Sequence, residues 1–230
     1  MKKDYISVVY DQKRTPVTGY PVQLASYLVN RFGINKNAKL LEIGCGRGDF
    51  LGAFCGLGLE CYGVDISDHC SKSNPALKVA CLDVSKDDLP YADNTFDVVY
   101  HKSVLEHINN PDHLMKETSR VLKRGGRIII LTPDWVSQMK VFYEDFTHSR
   151  PYDRTSLQDL LKIYGFLEAR TELFCQLPVL WKYPALNIFG KTLRLILDTP
   201  RARALTKLTG IKFFRWSVEL MVLGTGINDK

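Results

Sequence analysis

The stretch Lys39 to Phe50, KLLEIGCGRGDF, constrains the fold more than any other part of this chain. Leu40, Leu41 and Ile43 form a short apolar run, the mark of a buried strand. Gly44, Gly46 and Gly48 follow at alternate positions, and apolar residues then return at helical spacing in Phe50, Leu51 and Phe54. The pattern predicts a strand, a tight glycine loop and a helix. Such a loop lets the backbone come close to a ligand, beside the free N–H groups of a helix start. A phosphate would suit those groups. However, GxxxxGK[ST] is absent, and the spacing is G-x-G-x-G rather than G-x-G-x-x-G. Glu42, at the end of the strand, suits a ligand that carries positive charge.

The rest of the chain repeats the alternation. A helix is expected from Pro21 to Gly33, then strands over 39–43, 60–64, 77–82, 96–101 and 127–131, with helices after 48, from an N-cap at Ser67, and over 111–122. Gly125-Gly126 is expected to stop the last of these. Strands alternating with helices predict a parallel sheet flanked by helices, with ligands beyond the carboxyl ends of the strands. The glycine loop, Asp65 and Asp83 all fall at such ends. Beyond strand five come a polar loop, Glu144–Tyr152, a helix over 153–165 and a strand over 166–174. Two basic amphipathic stretches split by Pro200 follow, and a last strand over 217–224.

The chain has 230 residues and a net charge of +6. Nine basic and three acidic residues in 179–230 account for that whole excess. Six cysteines without CxxC or zinc spacing read as free thiols in a reducing compartment, and the expected location is cytoplasmic. The start of the chain has no signal core, and no run is apolar enough to span a membrane.

Four blocks then stand in register: LLEIGCGRGDF, YGVDIS at 62–67, CLDVSKDDLPYADNTFDVVYHKSVLEHI at 81–108 and LKRGGRIIILTP at 122–133. Together they resemble the class I S-adenosylmethionine-dependent methyltransferases, in a small-molecule subgroup. The resemblance covers about residues 38–133 directly. It implies an α/β fold, a doubly wound, mostly parallel seven-stranded sheet of order 3-2-1-4-5-7-6. Strand seven would be antiparallel, and a helical insertion would lie between strands six and seven. The implied layout is a lead-in at 1–37, a Rossmann-like core at 38–174, a basic insertion at 175–216 and the last strand at 217–224.

The resemblance also implies the cofactor S-adenosylmethionine, with S-adenosylhomocysteine as product. Glu42, Gly44, Cys45, Gly46 and Gly48 would surround its methionine part. Asp65 would accept the ribose hydroxyls, since a carboxylate can take two such bonds. Ile66 would pack on the adenine, and Asp83 with the Val84 N–H would meet its edge. His101 would lie beside the methyl donor. Asp83 capping a turn is the plain structural alternative.

Methyl transfer to oxygen benefits from a base, and His148 and His107 are the candidates. The plain readings are a loop-organising hydrogen bond for His148 and a structural role for His107. Arg150 and Tyr152 are candidate substrate contacts. No metal is expected, because Ser103 stands where related ubiquinone-pathway enzymes carry an acid three residues before the Glu-His pair.

The expected partner is a small-molecule acceptor, favoured as a saccharide or glycan-precursor oxygen, anionic or lipid-linked. N- or C-methylation and RNA or protein methylation are alternatives, as is an inactive cofactor-binding scaffold. His101-Lys-Ser-Val, where an Asn/Asp-Pro-Pro-Tyr-like motif would stand, argues against RNA or protein. Nucleic acid is not expected, since no RNA-binding module accompanies the basic patch. The insertion reads as a cap with Leu186, Phe189, Leu193 and Ile196 facing the core, as a lid, or, through 180–215, as a transient membrane-surface contact.

Overall fold

A computed structural model describes residues 16–230. Most of the irregular start expected over 1–20 lies outside the described residues. The elements are α1 (Tyr20–Phe32), β1 (Lys39–Ile43), α2 (Asp49–Gly56), β2 (Glu60–Asp65), α3 (His69–Ser73), β3 (Lys78–Cys81), β4 (Phe96–Lys102), α4 (Asp112–Val121) and β5 (Leu122–Pro133). They continue with α5 (Trp135–Gln138), α6 (Arg154–Ile163), β6 (Phe166–Phe174), α7 (Pro178–Lys182), α8 (Asn187–Ile196), α9 (Thr199–Thr209), α10 (Lys212–Val218) and β7 (Met221–Asn228). The sheet order is β3-β2-β1-β4-β5-β7-β6, with β7 antiparallel, as expected.

By compactness the chain divides in two. The first unit holds the residues up to Lys102, Asn110–Ile129 and Ile227–Lys230. The second holds Ser103–Asn109 and Ile130–Gly226.

In the first unit β1 runs parallel to both β2 and β4, with Ile43 in register with Val64 on one side and His101 on the other. Leu40, Leu41, Ile43, Val64 and Val99 are buried along these strands, as near-continuous apolar runs in a sheet covered on both faces should be. Phe54 of α2 meets the Tyr100 ring edge-on at 5.1 Å. A single buried amide ties α4 to the start of β5. Asn228 donates through Nδ2 to the carbonyls of Ser119 and Leu122 at 3.0 Å each, and its Oδ1 accepts from Ser119 Oγ at 3.0 Å.

In the second unit α6 is capped by Asp153, whose carboxylate accepts from Ser156 N at 2.8 Å while Ser156 Oγ accepts from Asp153 N at 2.9 Å. Leu157, Leu160 and Leu161 are its buried face. Gly224 of β7 lets Leu157 approach, since a Cβ there would lie 2.7 Å from Leu157 Cδ2.

Several local expectations change. Ser67 is not an N-cap; α3 starts two residues later, and the Ser67 hydroxyl accepts from His69 N at 3.2 Å. Gly125-Gly126 does not stop α4. The helix ends at Val121, Leu122 is already extended, and the glycines lie inside a twelve-residue β5. There Gly125 has a φ of 75°, and a Cβ on Gly126 would lie 2.8 Å from the Lys123 carbonyl oxygen.

The last strand is not 217–224. Ser217 and Val218 finish α10, which the Glu219 N–H to Arg215 carbonyl bond closes, and β7 begins at Met221. The segment 175–216 holds four short helices rather than two stretches. Pro178 and Pro200 sit in first turns, and Gly210 ends α9 at a φ of 72°. The stripe expected to face the core does not do so as a whole: Leu186, Phe189 and Ile196 are exposed, and only Leu193 is half-buried. All six cysteines are free.

Replacing Asn228 with alanine should strand two carbonyls and one hydroxyl, and lower unfolding free energy by roughly 2–3 kcal/mol. Urea denaturation at neutral pH measures this.

Candidate active site

The glycine loop leaves β1 with all three glycines at positive φ: 72° at Gly44, 54° at Gly46 and 82° at Gly48. Other residues rarely adopt these angles. Gly48 also has no room for a side chain, since a Cβ would lie 2.7 Å from Cys70 Sγ. At Gly46 a Cβ would meet nothing within 4 Å, so the backbone there borders open space.

Asp65, at the end of β2, holds this loop. Its Oδ2 accepts from Gly46 N at 2.7 Å and its Oδ1 from Ser67 N at 2.8 Å. Ile66 follows, 70% exposed, an apolar side chain standing free at the end of a strand. Cys45 is buried, and its contact with the Cys70 thiol, then burial, pushes its pKa up.

Two buried polar side chains occupy neighbouring strands. Glu42 is 2% exposed, and its Oε2 has no hydrogen-bond partner among the described residues. Burial pushes its carboxyl well above the usual range, and Cys70, Asp65 and Asp49 push the same way, while Lys102 opposes them. His101 is fully buried, and neither ring nitrogen has a partner among the described residues. Burial pulls it down to about 4. It is therefore a neutral imidazole at physiological pH and a weak base.

Asp83 is organised locally. Its Oδ1 accepts from Ser85 N at 3.0 Å and from Ser85 Oγ at 2.6 Å. The Ser85 hydroxyl, more than any other group, lowers its pKa. Val84 is half-buried beside it. The turn-capping geometry is thus present, and Oδ2 lies 3.4 Å from Lys86 Nζ. A separate groove of about 400 Å³ opens near the amino ends of β1 and β4, among Asn37, Asp97 and Arg127, on the edge opposite the glycine loop.

The second unit contributes a pair of histidines. His148 Nδ1 lies 2.6 Å from the Phe142 carbonyl oxygen. A carbonyl only accepts, so Nδ1 carries the proton and the neutral ring's lone pair is on Nε2. His107 Nδ1 lies 2.9 Å from Thr147 Oγ1, which gives its own proton to Asp145 Oδ1 at 2.6 Å. His107 must therefore donate from Nδ1, and its lone pair is also on Nε2. The rings meet edge to face at 4.8 Å. Burial, then the neighbouring His148, lowers the pKa of His107.

The loop around them is pinned to the Glu106 carbonyl, which accepts from Ser149 N at 2.9 Å and Arg150 N at 3.1 Å. Arg150 donates to the Asn109 carbonyl at 3.1 Å and lies 5.9 Å from the Tyr152 ring centroid. Tyr152 is buried, which pushes its phenol up to about 12.

Sequence reasoning named His107 and His148 separately and missed Thr147 and Asp145, which orient His107. It also missed that one ligand atom each from Glu106, His107 and His148 lie within 4.8 Å of one another, close enough to hold a cation. The expectation of no metal rested on Ser103 alone, whereas His148 reaches the group from 41 residues further along.

A protein-family profile described as a methyltransferase domain matches residues 20–167. The chain belongs to the class I S-adenosylmethionine-dependent methyltransferases. Among curated relatives, a sterol 4-C-methyltransferase of Caenorhabditis elegans is 31% identical over 54% of this chain and 41% of its own length. A ubiquinone biosynthesis O-methyltransferase of Pelagibacter ubique is 34% identical over 46% of this chain and 47% of its own. The chain thus spans about half the length of these relatives or less.

In solved structures, the Haloferax volcanii complex of the Trm112 activator with a methyltransferase gives a TM-score of 0.71 at 17% identity over the whole of both chains. A Haemonchus contortus phosphoethanolamine N-methyltransferase bound to S-adenosyl-L-methionine gives 0.66 at 16% identity, over all of this chain and 61% of that one. These likenesses show the fold. The methyltransferase's first unit fits the family cofactor. An orphaned carboxylate oxygen, Glu42 Oε2, suits a cationic ligand, and the open backbone at Gly46 gives it room.

Two pH responses follow. The depressed His101 pKa contributes stability that is present above its ordinary 6.5 and lost as pH falls through about 4. Its full size is about 3 kcal/mol, so His101→Phe should lose much of the acid sensitivity seen in urea midpoints between pH 7 and 4.5. The raised Glu42 pKa acts in the opposite sense. Its stability is present below the ordinary glutamate range and lost as pH rises through the raised value. Glu42→Gln should therefore raise the melting temperature of the cofactor-free protein at neutral pH while weakening cofactor binding, read by calorimetry.

Proposed function

We propose that this methyltransferase moves the methyl group of S-adenosylmethionine to an oxygen of a small-molecule acceptor, with a saccharide or glycan-precursor hydroxyl favoured. The observation that carries the choice of oxygen is the 2.6 Å bond from His148 Nδ1 to the Phe142 carbonyl, which leaves Nε2 as a proton acceptor. A hydroxyl is a poor nucleophile until its proton has somewhere to go.

Bound, the cofactor supplies an electrophilic methyl carbon and a thioether leaving group. The chain's residues do the rest. Glu42 faces the cationic part, and Gly44, Cys45, Gly46 and Gly48 line the methionine portion. Asp65, which holds the Gly46 and Ser67 N–H groups, meets the ribose hydroxyls. Ile66 offers an apolar face to the adenine. The Val84 N–H and the Asp83 oxygen not taken up by Ser85 meet the adenine edge. His101, neutral, adds no positive charge beside the sulfonium.

His148 Nε2 takes the acceptor proton. His107, held by Thr147 and Asp145, orders the pair and is the second candidate base. Arg150 has N–H groups beyond the one on Asn109 for an anionic acceptor, and Tyr152 shapes the loop beside it. A second reading, an apolar or lipid-linked acceptor, is favoured by the similarity to relatives named for a sterol and for ubiquinone synthesis.

Calorimetry should show S-adenosylmethionine binding to wild type and none to Asp65→Ala, whose loss also frees the Gly46 and Ser67 N–H groups. Absence of wild-type binding would sink the reading. In a turnover screen of hydroxylated acceptors, His148→Ala should lower kcat by ~10²–10⁴. EDTA should leave wild-type turnover unchanged. Undiminished turnover in His148→Ala rules out the base, and loss of turnover in EDTA reassigns His148 as a metal ligand.

A further inference from the structure

Within the second unit, α8 has its amphipathic faces reversed. At about 100° per residue, Ile188, Phe189, Leu195 and Ile196 fall on one face. All four are exposed: 61%, 62%, 85% and 68%. The opposite face is small and polar. Gly190 is buried, and a Cβ there would lie 3.6 Å from Ser217 Oγ. Arg194, on the same face, donates to the Ser217 carbonyl at 2.6 Å. The helix thus packs by its glycine and its arginine and turns its large apolar residues outward. Leu208 on α9 is 82% exposed as well, and Ile211 just beyond it 52%. An exposed apolar helix face of this kind marks an interaction site.

We propose that this face rests on an anionic membrane surface, with its apolar side chains at the boundary between headgroups and acyl chains. Charge selects this occupant. Residues 179–230 hold nine basic and three acidic residues. Two of those acids are already paired inside the unit, Asp198 with Lys140 and Glu219 with Arg203 and Arg215. The basic groups on the exterior include Lys191, Arg201, Lys207 and Lys212. A symmetric pair of copies meeting through this face would bring like charges together. Anionic lipid headgroups attract the same charges. No described helix is long and apolar enough to cross a membrane, so the contact is peripheral.

The test is flotation with vesicles of phosphatidylcholine, with and without about one third phosphatidylserine. Wild type should float with the anionic vesicles and remain behind with the neutral ones, and added salt should weaken binding. The exposed pair Phe189→Ser with Leu195→Ser should reduce partitioning by about tenfold or more, while leaving the circular dichroism spectrum and S-adenosylmethionine binding intact. Lys191→Glu with Lys207→Glu should abolish the preference for anionic vesicles. Failure of wild type to float, or undiminished flotation of the serine pair, overturns the proposal. A concentration-dependent dimer in sedimentation velocity that the serine pair converts to monomer also overturns it, in favour of self-association. None of these readouts depends on turnover, so the proposal stands or falls apart from the proposed reaction.

Discussion

One carboxylate holds the cofactor end of the first unit together. Asp65 closes β2 and receives the N–H of Gly46 from the loop after β1 and the N–H of Ser67 from its own turn. The two strands are parallel and adjacent, so their carboxyl ends lie at the same sheet edge. Three left-handed glycines in five residues lose more backbone entropy on ordering than any other residues would. Their conformation lasts because an anchor from the next strand fixes the middle of the loop. The group that orders the loop is also the one placed to meet a ribose.

The same edge carries two groups that burial disfavours. Glu42 and His101 lie on neighbouring strands, close to the register pair Ile43 and His101, and each holds a polar atom without a partner among the described residues. Burying a polar atom without a hydrogen bond is costly. Sites that keep such atoms do so where a ligand will meet them. The histidine pair of the second unit is built differently. Its imidazoles are oriented by a carbonyl in one case and by a Thr-Asp chain in the other, and its loop is tied to the Glu106 backbone. One unit holds buried groups matched to a cation, and the other holds oriented lone pairs matched to a proton.

Where the chain makes its own contacts over short spans, its sequence was legible. The bounds of β1 and β6 were read to the residue, β1 from its short apolar run, and Pro21 with Gly33 marked the ends of α1. Turn chemistry misled where one glycine signal had two uses. Gly125-Gly126 looks like a helix stop, but the pair serves a strand that needs a left-handed residue and a close backbone approach. The last strand slipped by four residues because Val218 and Leu220 extend the apolar pattern of the strand backwards, although Val218 belongs to α10.

By itself, the sequence determined the strand-loop-helix at Lys39–Phe50, the acids at strand ends, the order of the sheet and the family. The first two rest on local periodicity and on residues that few other backbones accommodate, and the order of the sheet came only with the family resemblance of the four blocks. Only the tertiary structure decided the proton positions on His107 and His148, because those depend on Thr147, Asp145 and the Phe142 carbonyl folding back onto them. Only the tertiary structure decided which face of α8 is covered. An apolar stripe at helical spacing says that a face wants burial. What the rest of the chain leaves room for decides whether that face meets the core, and here Gly190 and Arg194 take the inner place.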